Sequence, residues 1–356
     1  MIEPVYHKLA RDLESYFATE KFPGKLPGVR ELSRRFEVSK GTLCKALQIL
    51  EDRGSVRVES GCGITFLGVP DYPAPRHKVI GIAGLCGLEP SFLEDFNRTH
   101  RKTGFSLLEL NVSALTTRRD IDWLLQLPID GIILLNSASN PRFLNFFYEH
   151  NIPVIGCPVP GFEHLIGIEP DHRAAYRRIL ETLMELGHTR IALAMPETNP
   201  EFQFFIDWIL ESFRETLGHF YDEELIVFFT PDKGRESIQE FEERICGEVT
   251  EQLFHANELP TALIAEQHYL HILREYMLCH DFPGAETLSY FAVTYPDNRD
   301  PYYAAAMLQE GQSVEIAFQK MCAMLEGKKV DPETILIPMK FFDGRSIRRA
   351  ASPAGK

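Results

Sequence analysis

Residues 26–66, LPGVRELSRRFEVSKGTLCKALQILEDRGSVRVESGCGITF, decide how the N-terminal part of this chain folds. Val29, Leu32 and Phe36 lie three and four residues apart, which predicts a short helix over 30–36 with one buried face. Glu37 and Val38 make a joint. Ser39 is placed to cap the next helix, because its hydroxyl can accept an orphan backbone N–H of the first turn. Over 40–52, Leu43, Leu47 and Leu50 keep helical spacing with Ala46 and Ile49 beside them, and Gly54 closes the helix. Residues 55–59 (Ser-Val-Arg-Val-Glu) alternate. Ser60, Gly61, Cys62 and Gly63 then supply turn chemistry before Ile64-Thr65-Phe66.

Helix, turn, helix, hairpin is the winged helix-turn-helix order. The N-terminal half of its second helix carries Lys40, Gly41, Thr42, Cys44 and Lys45. In that motif this half enters the DNA major groove, while cations and helix-start N–H groups hold phosphates. Charge balance agrees. Residues 1–70 hold 11 Lys and Arg against 9 Asp and Glu, a net of +2, whereas the rest holds 26 against 42, a net of −16. A basic-leaning head on an acidic body points to the head as the part that meets a polyanion.

The segment resembles the DNA-binding domain of GntR-type transcriptional regulators. The shared features are Leu26-Pro27, Arg30-Glu31-Leu32, Val38-Ser39-Lys40, Thr42-Leu43, Ala46-Leu47, Leu50-Glu51, Gly54 and the wing Gly61-x-Gly63-x-Thr65-Phe66. The resemblance implies that Arg30, Lys40 and Thr42 touch phosphates or bases, with Ser39, Gly41 and Lys45 on the same DNA-facing start of the helix. It also implies that the wing tip at Gly61 and Gly63 reaches the minor groove. Two departures matter: Gly28-Val29 replaces a more usual polar pair, and Cys44 stands where a DNA-contacting arginine is frequent. Losing one bidentate base contact removes about 1–3 kcal/mol of discrimination, so a non-standard operator is expected.

The chain is 356 residues long and 44% hydrophobic, enough for two or three folding units. Its seven cysteines form no CxxC pair, which reads as ordinary thiols of a reducing compartment and no zinc or other metal site. The N-terminus opens as an amphipathic helix with Tyr6, Leu9, Leu13 and Phe17 on one face. With no long apolar run, neither a signal peptide nor a membrane span is expected, and the cytoplasm is the expected location. Residues 67–78 hold three prolines and little periodicity, a semi-stiff linker composition. The expected division is a head over 1–68, a linker over 69–78 and a body over 79–349.

In the body, short apolar runs alternate with helical patterns. Strands are expected over 79–83, 105–110, 131–135, 153–156, 190–194, 225–229, 262–265 and 290–293. Helices are expected over 90–103, 117–127, 141–150, 171–186 and 201–217. That alternation predicts parallel sheets covered on both faces, in two lobes. Order and local sequence resemble the effector domain of lactose-repressor-type regulators, which has a periplasmic-binding-protein-like fold. The matching pieces are Asp130-Gly131-Ile132-Ile133, Ile152-Pro153-Val154-Ile155, Asp171 ahead of Gly187-His188-x-Arg190-Ile191-Ala192, and Phe213-Arg214-x-x-Leu217. Further on come Pro260-Thr261-Ala262-Leu263, Tyr295-Pro296-Asp297, Ile337-Pro338 and Arg345-Ser346. Head and body together resemble the arabinose-repressor type. The expected fold class is therefore α/β, a small winged helix-turn-helix head plus a two-lobed body.

Such a body holds its ligand between the lobes, on loops at the carboxyl ends of strands. The candidate effector contacts there are Phe92, Gln267, His268 and Asp297. Gln267-His268 occupies positions where the family usually has Asn-Asp. Ile209 stands where a ligand-clamping arginine is expected, and the run Phe202-Gln203-Phe204-Phe205-Ile206 before it is unusually apolar. Phe202 and Trp208 could stack a ring but read more simply as core, and Asp171 reads as a helix cap. The pocket is thus expected either to bind something less hydroxylated than a common sugar or to have lost its ligand.

The functional expectation is a ligand-responsive transcriptional regulator, a repressor of a carbohydrate-related operon. Its expected partners are double-stranded operator DNA, a small-molecule effector of the carbohydrate class and a second copy in a homodimer, with no membrane and no cofactor. No P-loop, GxSxG, HExxH or post-strand GxGxxG is present, so no enzymatic reading is drawn. The alternatives are a sugar-binding-like module with a degenerate pocket, or one with a vestigial DNA head.

Overall fold

The computed structural model describes residues 5–20, 25–52, 55–59, 63–66, 75–112, 115, 121–162, 165–198, 203–230, 237–255 and 259–350. Gly54, Gly61, Phe202 and most of the expected linker lie outside the described residues, as does the first half of the helix expected over 117–127. Its second half is a 3-10 turn, Trp123–Gln126.

Helix α1 (Val5–Thr19) is followed by β1 (Lys25–Leu26), α2 (Val29–Arg35), α3 (Lys40–Asp52), β2 (Val56–Glu59) and β3 (Gly63–Phe66). The strands form an antiparallel sheet in the order β1-β3-β2. Leu9, Leu13 and Phe17 of α1 close over Leu32, Leu43, Leu47, Leu50, Val56 and Ile64, so the expected apolar spacing is the buried face. Glu51 accepts the Val58 N–H at 2.9 Å, and Ser55 donates to Glu14, which tie the hairpin to α3 and α1.

The first lobe begins with β4 (Val79–Ala83), α4 (Phe92–His100), β5 (Ser106–Glu109), β6 (Gly131–Leu134), α5 (Pro141–Glu149), β7 (Val154–Gly156) and β8 (Ile166–Pro170). The chain then builds the second lobe from α6 (His172–Glu185), β9 (Ile191–Pro196), α7 (Gln203–Leu217), β10 (Ile226–Phe229), α8 (Ile238–His255), β11 (Ala262–Glu266), α9 (Gln267–Cys279), β12 (Ser289–Thr294) and β13 (Ala304–Met307). It returns to the first lobe with α10 (Glu310–Leu325) and β14 (Thr334–Ile337), and ends at β15 (Lys340–Phe342) on the second. The first sheet has the order β14-β8-β7-β6-β4-β5 and is parallel throughout. The second has the order β10-β9-β11-β12-β13-β15, with only β15 antiparallel. Each sheet has an apolar cluster on both faces, as near-continuous apolar strands require.

The crossings between lobes, at 170–172, 308–310 and 337–340, lie side by side. Asp171 N–H donates to the Ile337 carbonyl at 2.8 Å, and the Gln309 side-chain amide donates to the Pro338 carbonyl at 2.9 Å. Farther out, His188 of the Gly-His-x-Arg piece bridges Thr261 and the Arg348 carbonyl, both at 2.9 Å, and pins the C-terminal segment.

The junction where the linker enters the body is also built. One carboxylate, Asp130 before β6, accepts the backbone N–H groups of Arg76, His77, Lys78 and Val79 at 2.5–3.4 Å. Asp130→Ala orphans these donors and is expected to lower stability by about 1–3 kcal/mol. Thermal melting checks this, and an unchanged midpoint contradicts the clamp.

Candidate nucleic-acid interface and effector cleft

In the head, α2 starts on the Gly28 carbonyl, which accepts Glu31 and Leu32 N–H at 2.9 and 3.0 Å. The joint is tight: Glu37 adopts φ 52°, the Val38 N–H donates to the Ser33 carbonyl, and the Ser33 hydroxyl donates to the Val38 carbonyl at 2.9 Å. Ser39 caps α3 as expected. Its Oγ accepts the Thr42 N–H at 3.1 Å and lies 2.8 Å from Thr42 Oγ1. Leu43, Ala46, Leu47 and Leu50 are buried, which turns Lys40, Gly41, Cys44 and Lys45 outward on the opposite side, with Thr42 half-buried. Arg30 is exposed at the start of α2. Lys45 Nζ also sits 5.5 Å from the Tyr6 ring centroid, and Arg35 stacks over Tyr16 at 4.3 Å. Gly63 opens β3 at φ 103°, a conformation that favours glycine, so the hairpin needs it there.

The cleft is formed by the carboxyl ends of both sheets. In the first lobe the strand order reverses beside β4, so the loops after β4 and β6 diverge. Asn136 spans this point, donating to the Gly84 carbonyl at 2.7 Å and to Glu310 Oε1 at 3.1 Å. Glu310 Oε1 also accepts the Cys86 N–H at 2.9 Å, while Oε2 is buried without a hydrogen-bond partner. Burial, opposed by these bonds, pushes the Glu310 carboxyl up to about 7. Glu169 on β8 is also pushed up to about 7 by burial, although the Cys157 thiol donates to it. His172 lies with Nε2 3.6 Å from Glu169 Oε1 and its ring edge-on to Phe205. Burial lowers His172 to about 3, so at neutral pH it is uncharged and forms no ion pair. Glu266 is raised by burial at the end of β11.

The lobes meet across this cleft. A Cβ added at Gly87 would stand 2.2 Å from Tyr295 Cβ and 2.9 Å from Asp297 Oδ1, and Gly87 has φ 65°. What remains between the strand ends of the first lobe and α10 is a cavity of about 10 Å³ lined by Asn136, Cys157, Glu310 and Ser313 among others. The much larger groove of about 780 Å³ lies between α8 and α9, and its lining includes none of the candidate residues. Among the described residues no His, Cys, Asp and Glu cluster could hold a metal ion.

The expected effector residues are distributed unevenly. Phe92 starts α4 and packs over the start of α10, 3.5 Å from a Cβ at Gly311, beside Glu310. Asp297 is exposed and faces Gly87 across the cleft. Gln267 is buried, and its Oε1 accepts the Asp300 N–H at 3.0 Å, which commits that oxygen to holding the loop after β12. His268 is exposed and acts on Glu266 through its charge. Asp171 caps α6 by accepting the Ala174 N–H at 3.0 Å. Ile209 is fully buried in the second lobe, and Trp208 meets Phe204 edge-on with Arg173 over its ring. Sequence reasoning missed Asn136, Cys157, Glu169 and Glu310. The available signal was an acid in an otherwise apolar strand at Glu169.

Residues 2–66 match the family of bacterial regulatory proteins called gntR. The N-terminal unit is a GntR-type helix-turn-helix head. A stretch of 111 residues, 30% of this chain, is 32% identical to YydK, an uncharacterized HTH-type transcriptional regulator of Bacillus subtilis (strain 168), and spans 42% of that relative's length. The body shares its fold with solved LacI-family regulators. One, from Enterococcus faecium and with bound ribose, superposes with a TM-score of 0.60 at 16% identity, covering 77% of this chain and 100% of that one. The transcription regulator CcpA of Lactococcus lactis superposes with a TM-score of 0.60 at 14% identity, covering 76% of this chain and 99% of its own. The chain thus joins a GntR-type head to a body that shares the fold of solved LacI-family regulators. No helix among the described residues is long and apolar enough to cross a membrane.

In the body joined to this GntR-type head, the cleft carboxyls make stability depend on pH. Folded Glu169 and Glu310 keep their protons to about pH 7, whereas unfolded glutamates lose them near 4.5. Across that window the folded state binds more protons, so stability falls as pH rises and the penalty is complete above it. Urea midpoints measured across the window are expected to fall, and to fall less in Glu310→Gln. Equal slopes in the two proteins contradict the burial of Glu310.

Proposed function

We propose that this chain is a ligand-responsive transcriptional repressor of a carbohydrate-related operon. Residues 1–68 bind double-stranded operator DNA, 69–78 link, and 79–349 bind a small-molecule effector between the lobes and join two copies. The observation that carries this reading is the outward face of α3. Capped by Ser39, it offers Lys40, Gly41 and Lys45 together with the half-buried Thr42 beside them, on the basic-leaning end of a chain of net charge −14. Lys40, Gly41, Thr42 and Lys45 enter the major groove, Arg30 holds phosphate, and Gly61 and Gly63 carry the wing to the minor groove. A homodimer sets two such helices on half-sites about one helical turn apart.

Phe92 and Asp297 contact the effector, with Gln267 and His268 behind them. The ribose in the Enterococcus faecium regulator supports a carbohydrate-class effector here. Binding favours one arrangement of the lobes, and the Asp130 clamp on residues 76–79 carries that preference to the linker. Coupling of this kind is typically worth about 1–3 kcal/mol.

Gel shifts with the DNA upstream of the protein's own gene test the reading. Binding is expected to weaken steeply with salt. Substituting Arg30 and Lys40 together by Ala is expected to weaken binding to all sequences and to reduce the salt slope by about 2. Unchanged affinity and slope would favour a vestigial head.

A further inference from the structure

We infer that the cleft takes a cationic ligand whose primary ammonium group sits against the free oxygen of Glu310. This rests on the effector reading above and narrows its chemistry.

Glu310 is only 5% exposed and lines the cavity of about 10 Å³, and its Oε2 is buried without a partner. That volume holds one water-sized group. A buried carboxylate oxygen without a donor is unfavourable, so the cavity is completed by whatever brings N–H or O–H groups to it. The surrounding charge decides which. Cys86 feels Glu310, Glu266 and Asp297, and Glu310 feels Asp297; the cavity lining contains no lysine or arginine. The positive influence on this group of acids comes from His268, which acts on Glu266. A phosphorylated sugar would therefore enter a field of its own sign. A neutral sugar would supply donors but leave the charge uncompensated.

An ammonium head supplies three donors and the opposite charge in a compact group about the size of a water. Ser313 and Asn136, on the same lining, offer further oxygens. The cavity holds only the head group, and Gly87 packs closely on Tyr295 and Asp297 of the other lobe, so room for the remainder of the ligand couples binding to the lobe arrangement. Glu310 holds its proton to about pH 7, so an ammonium that ionises it displaces a proton into solution near neutral pH.

Isothermal titration of the full-length protein near neutral pH, in two buffers of different ionisation enthalpy, tests this with four probes. These are glucosamine, putrescine, glucose and glucose 6-phosphate. At least one amine is expected to bind about tenfold or more tightly than both other sugars, with release of protons. Glu310→Gln keeps an acceptor for the Cys86 N–H and is expected to remove the preference. Asp297→Asn, at the exposed mouth where folding is not at stake, is expected to weaken the amine several-fold. The inference is overturned if glucose or glucose 6-phosphate binds as well as the amines, if neither amine binds, or if both variants bind the amine as tightly as the unaltered protein. The effector reading itself falls only if no small molecule of any charge changes operator affinity.

Discussion

The chain passes from lobe to lobe at 170–172, 308–310 and 337–340, and hydrogen bonds join those crossings to one another. A connection of this kind lets the lobes change their angle while forbidding them to separate. It also places the ends of the strands opposite each other, which creates the cleft. Glu310 follows directly from one crossing and Asp171 from another, so hinge and candidate site share their residues. A ligand that touches Glu310 therefore touches the element about which the lobes turn. At the far side of the first lobe, the Asp130 carboxylate fixes the point where the linker enters. Between hinge and clamp lie only packed strands, and packed cores shift between discrete arrangements more readily than they deform.

Charge is divided along the same line. The head leans basic and the remainder carries a net charge of −16. On the outside of the body the excess acid faces water or pairs with arginine, as at Arg173–Glu211 and Arg177–Glu215. In the cleft it does not pair. Glu169 and Glu310 are buried there with raised proton affinity, and His172, the nearest base, is held neutral. Buried acids left without cations are expensive to maintain, and such groups concentrate at functional sites.

The head was legible from its sequence because its determinants are local. The Ser39 cap joins residues three apart, and the buried leucines of α3 are set by helical spacing alone. The alternation of the body was legible for the same reason, down to the Asp171 cap. The cleft was not, because its contacts join distant residues: Cys86 meets Glu310 across 224 positions, and Asn136 meets it across 174. Gln267 illustrates the difference. Its place after β11 follows from pattern, but the Asp300 N–H that engages its side chain is fixed by the path of another loop. Lys45 likewise reads as a DNA-facing cation, while its approach to Tyr6 depends on how α1 packs.

The central claim is that the occupant of the cleft and the DNA on the head are energetically coupled through one chain. Fluorescence anisotropy of labelled operator, at one salt concentration, gives DNA affinity with and without a saturating cleft ligand. Titration of that ligand with and without saturating operator gives the reverse effect. The account predicts that each changes the other by the same factor, about 5–150-fold. Operator affinity unmoved by a ligand that demonstrably fills the cleft would contradict it.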